Sequence, residues 1–209
     1  MKNYKWYALK LIAVCVVIFI LQNIFENLTD EFSLDSASIL SRPWTIVTYI
    51  FLHGSFEHLF YNMFALGLFG LVLENVIGSK KFLLVFFVSG VIAGIGSILF
   101  YSASIGASGA IYGIMGALAV LRPRMTVYIG LVPLPMALTV IFWAAGDLLG
   151  LFIPTDLTAH AAHLFGLIFG LIYGVYLRGD YGEVPIKKKK EKINDEEFKT
   201  WEEEYMSSY

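Results

Sequence analysis

Long apolar runs dominate this sequence and restrict the folds available to it. An α-helix crosses the hydrocarbon core of a bilayer with about 20 apolar residues. Only 15% of the residues are charged, against about 25% in soluble domains. Six runs predict membrane helices, at residues 7–25, 56–77, 82–101, 107–121, 128–152 and 158–177. We therefore predict an all-α polytopic membrane protein.

The charged residues predict the domain organisation and the orientation. We assign residues 1–178 to a six-helix transmembrane domain and residues 179–209 to a charged C-terminal tail. Lysine and arginine mark the cytoplasmic side of membrane proteins. With six spans, one side receives Lys2, Lys5, Lys10, Lys80, Lys81, Arg122, Arg124, Arg178 and the lysines at 187–190, while the other receives only Arg42. We expect both termini in the cytoplasm and a solvated tail, or alternatively a tail that touches anionic headgroups.

Other bulk features exclude several classes of function. The formal net charge is −2, which implies no nucleic-acid partner. Cys15 is the only cysteine, so no internal disulfide can form. No small-x-small cleavage site precedes Asn27, so we expect an uncleaved first helix. We expect an integral, multi-pass protein of a prokaryotic plasma membrane.

The fourth predicted helix is too short to cross the bilayer. Residues 107–121 would span about 22 Å, against a hydrocarbon core of about 30 Å. Residues 102–106 should then enter the membrane as irregular backbone, which is tolerated only inside protein or beside a wet cavity. Ser108 would lie on the floor of a cavity open to the extracellular side, where free N–H groups at the helix start favour developing negative charge.

Polar residues at matching depth surround this position. Ser108 lies between Gly106 and Gly109, and glycines permit a tight turn and close approach of a substrate backbone. His163 falls in the second turn of the sixth predicted helix and could act as a base for Ser108. Gly166, Gly170 and Gly174 follow on its own helix face and would allow close packing against the fourth helix. The pattern around Ser108 also fits helix-packing glycines beside a serine that bonds back to its helix.

The second predicted helix supplies further polar groups. His58 and Asn62 share one face, and with the Ser108 N–H they could form an oxyanion hole. We expect His53 to support the fold or the cavity. Tyr112 lies one turn after Ser108 and could stack on His163, or serve as a core tyrosine bonded elsewhere.

The sequence places no carboxylate clearly beside His163. Asp147 and Asp156 lie on the outer side, and we favour structural or gating roles for both. We therefore predict a Ser-His dyad, a variation of the Ser-His-Asp arrangement.

Taken together, three motifs resemble those of the rhomboid proteases over nearly the whole membrane region. They are His53-x4-His58-x3-Asn62, Gly106-x-Ser108-Gly109 with Tyr112, and Ala162-His163-x2-Gly166-x3-Gly170. The resemblance implies a rhomboid-like bundle with Ser108 as nucleophile and His163 as base. It implies an oxyanion hole of His58, Asn62 and the Ser108 N–H. Trp44 resembles the tryptophan of the family's first-loop motif, but Thr45 follows where arginine is frequent. The resemblance implies no role for the additional His160.

The implied function is an intramembrane serine endopeptidase that needs no metal or cofactor. Its partners would be the lipid bilayer and single-span or multi-span membrane protein substrates, cleaved near the outer ends of locally unwound helices. Residues 32–50 would lie partly in the outer leaflet, and the fifth helix could act as a lateral gate. The alternatives are a catalytically silent rhomboid-like protein that binds membrane clients, a metal or haem protein using His53, His58, His160 and His163, and a small transporter with a broken helix.

Overall fold

The computed structural model describes residues 4–153 and 158–183 and is mostly helical. Within these residues, four helices are long and apolar enough to cross a membrane, namely Tyr7–Ile24, Phe56–Ile77, Ser79–Phe100 and His160–Tyr181. Two shorter apolar helices accompany them, Ser108–Leu121 and Met136–Phe152. The chain is a multi-pass integral membrane protein. Asp156 and the predicted tail beyond residue 183 lie outside the described residues.

The elements follow one another along the chain with short connections. In order they are α1 (Tyr7–Ile24), α2 (Leu28–Phe32), β1 (Leu34–Asp35), α3 (Thr45–Thr48), a 3-10 turn (Tyr49–Phe51), α4 (Phe56–Ala65), a π-helical turn (Leu66–Gly70), α5 (Leu71–Ile77), α6 (Ser79–Phe100), β2 (Ala103–Ser104), α7 (Ser108–Leu121), β3 (Thr126–Ile129), β4 (Val132–Pro135), α8 (Met136–Phe152) and α9 (His160–Tyr181). Helices α4 and α5 continue one another through the π-helical turn and form the second long helix.

A buried glutamate fixes the first helix to the bundle. The Glu74 carboxylate accepts the backbone N–H groups of Tyr7 and Ala8, each at 3.0 Å, and the Ser79 hydroxyl at 2.6 Å. Helix α1 has no side-chain cap of its own, and the N–H groups of a first helical turn have no partners within the helix. Glu74 therefore supplies the cap and favourable negative charge from another part of the fold.

Helix α7 lies at the centre of the bundle and is buried along almost its whole length. It packs on α9 at glycines. A Cβ added at Gly166 would overlap the carbonyl oxygen of Gly109, and one added at Gly170 would overlap that of Gly113. Small residues at this spacing let two helix backbones approach closely. The two helices are therefore held in one register, with Ser108 on one and His163 on the other.

The predicted start of the fifth helix near residue 128 is wrong. Residues Thr126–Ile129 instead pair antiparallel with Val132–Pro135, and α8 begins at Met136. Pro133 and Pro135 cannot donate the backbone hydrogen bonds of a helix interior, whereas prolines are tolerated in an edge strand. Gly130 provides the positive φ of 61° in the connecting turn.

Residues 102–106 are more regular than predicted. Ala103–Ser104 form β2, which pairs antiparallel with Leu34–Asp35 of β1. The Gly106 N–H donates to the Tyr49 carbonyl oxygen at 2.9 Å. Residues 32–50 thus fold back onto the segment that precedes Ser108. Their contacts give its backbone groups hydrogen-bond partners, which lipid cannot provide.

Candidate active site

A cavity of about 650 Å³ opens at the end of the bundle where α4, α7 and α9 begin. Its walls come from these helices and from the segment around β2. The lining residues are Gly54, Ser55, His58, Asn62, Tyr101, Ala103, Ser104, Ile105, Ser108, Thr158, Ala159 and His163. Four of the predicted site residues (His58, Asn62, Ser108 and His163) therefore line a single cavity.

Ser108 and His163 are in direct contact. Ser108 is the first residue of α7, and its Oγ lies 2.8 Å from Nε2 of His163 on α9. This distance is that of a hydrogen bond, so Nε2 can accept the hydroxyl proton. The N–H groups of the first turn of α7 have no helical acceptor and are available for a negative charge formed beside Ser108.

Asp147 contacts His163 from α8, so a carboxylate does lie beside the histidine, where the sequence had placed none clearly. Its Oδ1 lies 3.0 Å from His163 Nδ1 and 2.7 Å from His160 Nδ1. The sequence favoured a structural or gating role for Asp147. It could not predict this contact, because it does not give the rotation of α8 about its axis. The available signal was the acid itself, since a carboxylate inside an apolar helix is costly without partners.

Two aromatic rings, those of Tyr112 and His160, lie against the His163 ring. Tyr112 stacks on His163 with centroids 4.2 Å apart and planes inclined by 14°. The His160 ring lies edge-on to His163 at 6.5 Å. A Cβ added at Gly150 of α8 would overlap the His160 ring, so this glycine leaves the space that the ring occupies.

His58 and Asn62 line the same cavity as Ser108 and His163. His58 Nδ1 accepts the Gly54 N–H at 3.3 Å, and Asn62 Nδ2 donates to the His58 carbonyl oxygen at 2.8 Å. A Cβ at Gly106 would lie 2.8 Å from both Cε1 and Nε2 of His58, and Gly106 has a φ of +124°. Only glycine combines that conformation with room for the ring. Gly109, by contrast, serves helix packing, because a Cβ there would overlap Ala93 Cβ of α6 and lie 3.4 Å from the Ala162 carbonyl oxygen of α9.

His53 lies behind the cavity and does not line it. The residue is 2% exposed, and its ring packs edge-on against the His58 ring at 5.1 Å. Burial, together with the neighbouring His58, lowers the pKa of His53 to about 4. Its backbone N–H donates to Gln22 Oε1 at 3.1 Å, and Gln22 Nε2 donates to its carbonyl oxygen at 3.3 Å.

Sequence reasoning missed two residues around the site. Gln22 of α1 holds the backbone of His53, as described above. The Tyr101 hydroxyl accepts the Ala161 N–H at 3.1 Å and so caps the start of α9 beside the cavity. Of the two, only Gln22 had a signal in the sequence, a weak one, because its amide lies within an otherwise apolar run.

The histidines do not form the metal set considered from the sequence. Among the described residues, the group with ligand spacing is Asp147, His160 and His163, whose donor atoms lie within 4.8 Å of one another. Two imidazole nitrogens and a carboxylate oxygen suit zinc. An ion there would take Nδ1 of His163 and replace the hydrogen bond to Asp147.

A protein-family model and several curated proteins are similar to this chain. The rhomboid domain family model matches residues 40–180. The putative rhomboid protease YdcA of Bacillus subtilis (strain 168) is 35% identical over 132 residues, which cover 62% of this chain and 64% of YdcA. The rhomboid protease GlpG of Yersinia pseudotuberculosis serotype I (strain IP32953) is 33% identical over 171 residues, covering 78% of this chain and 60% of GlpG. The matches thus cover less than two thirds of the length of these curated relatives.

Proposed function

Since the chain belongs to the rhomboid family, we propose that it is a serine endopeptidase that cleaves peptide bonds in or near the transmembrane helices of other membrane proteins. The observation that carries this proposal is the 2.8 Å contact between Ser108 Oγ and His163 Nε2 on the floor of a cavity. A hydroxyl hydrogen-bonded to a neutral imidazole is the arrangement that activates a serine nucleophile.

The proposed reaction proceeds through an acyl-enzyme. His163 Nε2 takes the hydroxyl proton as Ser108 Oγ attacks the substrate carbonyl carbon. The C–N bond then breaks, and the imidazolium returns its proton to the leaving amine. A water molecule from the cavity, activated by the same imidazole, hydrolyses the ester and regenerates Ser108. The mechanism needs no metal and no cofactor.

His58, Asn62 and the Ser108 N–H would form the oxyanion hole. Asn62 Nδ2 donates one hydrogen bond to the His58 carbonyl oxygen and has a second N–H to donate. His58 Nδ1 accepts the Gly54 N–H, which leaves a proton on Nε2, the nitrogen next to Gly106. Donors aimed at a developing oxyanion contribute about 10²–10³ in rate each.

The proposed topology has six spans with both termini in the cytoplasm. Helices α7 and α8 would complete the four longer ones, and the basic residues between spans would fall on one side. The 14 residues of α7 rise about 21 Å, which leaves its first residue below the outer surface of a bilayer about 30 Å thick. Ser108 would then face the extracellular side through the cavity.

Substrates would enter sideways from the lipid. Phe60 and Phe64 of α4 and Phe142 of α8 present exposed rings, as lipid-facing residues do. We propose that α8 moves relative to α4 to admit a transmembrane helix, whose small or helix-weakening residues favour local unwinding. A disulfide between α4 and α8 should block cleavage of a membrane substrate. Unchanged cleavage in the cross-linked protein would remove the gate from this proposal.

A catalytically silent client-binding protein is the second candidate. It is less well supported because both Ser108 and His163 are present and in contact.

The deciding experiment is cleavage of a single-span model substrate in proteoliposomes. Wild type should cleave it, whereas Ser108→Ala and His163→Ala should lose at least about 10³ in kcat. Ser102→Ala is the matched control, because Ser102 is an exposed serine in the same segment. A fluorophosphonate probe should label wild type and the control but not Ser108→Ala.

The outcomes separate the two candidates. Equal cleavage by wild type and Ser108→Ala would assign the activity to something other than Ser108. Neither cleavage nor probe labelling in wild type, with substrate binding retained, would favour the client-binding protein.

A further inference from the structure

Asp147 and His160 are polar residues inside the bundle that the mechanism above does not use. Their side chains are only 5% and 12% exposed. Burying a carboxylate costs several kcal/mol or more unless it is paired, so its surroundings are expected to compensate it. The partners of Asp147 Oδ1 are the Nδ1 atoms of His160 and His163.

We propose that Asp147 positions His163 as the general base and that His160 holds the Asp147 carboxylate in place. The chain would thus work with a Ser108–His163–Asp147 triad supported by a second histidine, instead of a dyad. This inference rests on the proposed serine endopeptidase and names two further residues that serve it.

The contact with Asp147 decides which nitrogen of His163 carries the proton. An ionised carboxylate can only accept hydrogen bonds, so Nδ1 must be the donor across the 3.0 Å contact. In the neutral ring the lone pair then lies on Nε2, which is the atom 2.8 Å from Ser108 Oγ. The same carboxylate faces the imidazolium that forms when the proton is transferred.

His160 restricts the carboxylate from the other side. Its Nδ1 is the closer donor, at 2.7 Å from the same Oδ1. The ring is seated against α8 where Gly150 has no Cβ. Asp147 and Gly150 are three residues apart on α8, and His160 and His163 are three apart on α9, so each pair shares a helix face. Two donors on one oxygen thus hold the carboxylate against rotation.

Other groups face His163 but cannot replace this function. The Tyr112 ring stacks on one side of the imidazole, and its hydroxyl interacts with the Asp147 carboxylate. His58 faces it from α4, close enough for an electrostatic interaction. Asp147 therefore provides the carboxylate, and His160 is the second imidazole that contacts it.

The test compares kinetics and histidine spectra of variants in proteoliposomes and micelles. Asp147→Asn should lower kcat about 100-fold, within the range typical of general-base catalysis, and leave KM within about threefold. His160→Phe, which removes the donor, should lower kcat about tenfold. The kcat of His160→Asn should stay within about threefold of wild type. The asparagine Nδ2 is bonded to Cγ, as the histidine Nδ1 is, and can donate the same hydrogen bond. These estimates follow from positioning.

A spectroscopic measurement separates positioning from general damage. In ¹⁵N-histidine-labelled Ser108→Ala protein, which cannot turn over, the His163 signals should report a protonated Nδ1 and an unprotonated Nε2. Adding Asp147→Asn should shift the ring toward the other tautomer or a mixture. This measurement does not depend on cleavage.

A glycine pair covers the case in which Asp147→Asn does not fold. Gly150→Ala should displace the His160 ring and lower kcat about tenfold, as misplaced catalytic groups do. Gly146→Ala on the same helix meets open space and should leave kcat unchanged. Equal kcat for the two alanine variants would overturn the role of His160.

The results also separate this inference from the proposed function. If wild type cleaves, Ser108→Ala does not, and Asp147→Asn keeps wild-type kcat and histidine spectra, the proposed triad is wrong and the dyad stands. If Ser108→Ala cleaves as wild type does, the proposed function itself fails.

Discussion

Gly170 of α9 packs directly on the carbonyl oxygen of Gly113 of α7, so that a Cβ at position 170 would overlap that oxygen. One turn toward the cavity, Gly166 has the same relationship with Gly109. These contacts set the separation of the two helices that carry Ser108 and His163. Backbone packing within the bundle therefore controls a side-chain distance in the candidate site.

Gly170→Ala should separate α7 from α9 and reduce both stability and cleavage. Overpacking costs about 1–3 kcal/mol, and a shift near 1 Å between catalytic groups can cost about 10²-fold in rate. Thermal unfolding in detergent and turnover in proteoliposomes measure the two effects. Gly179→Ala, on the same helix where a Cβ meets nothing within 4 Å, should leave both unchanged. Equal behaviour of the two variants would contradict the packing argument.

Tyr112→Phe should retain most of the activity, and Tyr112→Leu should lose more of it. The Tyr112 ring lies 4.2 Å from the His163 ring and nearly parallel to it, and stacked pairs contribute about 0.5–1.5 kcal/mol beyond their area. We expect kcat within about threefold of wild type for Phe and a loss of about tenfold for Leu. A loss in Tyr112→Phe as large as in Tyr112→Leu would assign the effect to the hydroxyl and not to the ring.

Glu74→Ala should destabilise the protein by releasing the start of α1. Its carboxylate caps the N–H groups of Tyr7 and Ala8 and accepts the Ser79 hydroxyl. Each buried group left without a partner costs about 1–3 kcal/mol, so the thermal midpoint in detergent should fall by several degrees. Glu26→Gln, at an exposed position, serves as the control. The interpretation fails if both variants unfold at the wild-type temperature.

His53 should make the fold less stable as the pH falls below neutrality. Its folded pKa of about 4 lies below the usual value of about 6.5, so the unfolded chain binds more protons between these values. Stability is therefore complete above about pH 6.5 and falls as the pH decreases toward about 4, by about 1.4 kcal/mol per pH unit at most.

The comparison of wild type with His53→Gln isolates this effect. Thermal midpoints in detergent at pH 7.5 and 5.0 should differ less in the variant, because glutamine does not titrate. His58 and the other histidines remain in both proteins. An identical pH-dependent shift would remove His53 as its source.

Zinc should inhibit cleavage, and a chelator alone should not. Asp147, His160 and His163 place three ligand atoms within 4.8 Å, and zinc on His163 Nδ1 would displace the Asp147 contact. Inhibition at micromolar zinc should reverse with EDTA and weaken in His160→Phe, measured on its residual activity. Loss of wild-type activity in EDTA would instead indicate a metal requirement and contradict the metal-free mechanism.

The sequence by itself determined where the long apolar helices lie and which polar side chains were expected to meet at one end of the bundle. Apolar runs place the long helices, since a bilayer requires both length and hydrophobicity. The spacing of Gly166 and Gly170 after His163 indicated a close helix contact, because small residues on one face allow it. Chain order and helical periodicity were enough for these conclusions.

Tertiary structure alone decided how the neighbouring helices turn toward one another. Asp147 reaches His163 because packing rotates α8 until one face meets α9, and periodicity gives the face of a residue without naming its neighbour. The strand pair at residues 126–135 likewise depends on prolines and a turn that end the apolar run as a helix. The sequence therefore indicated Ser108 and His163 as a pair, whereas only the packing of α8 showed that Asp147 contacts His163.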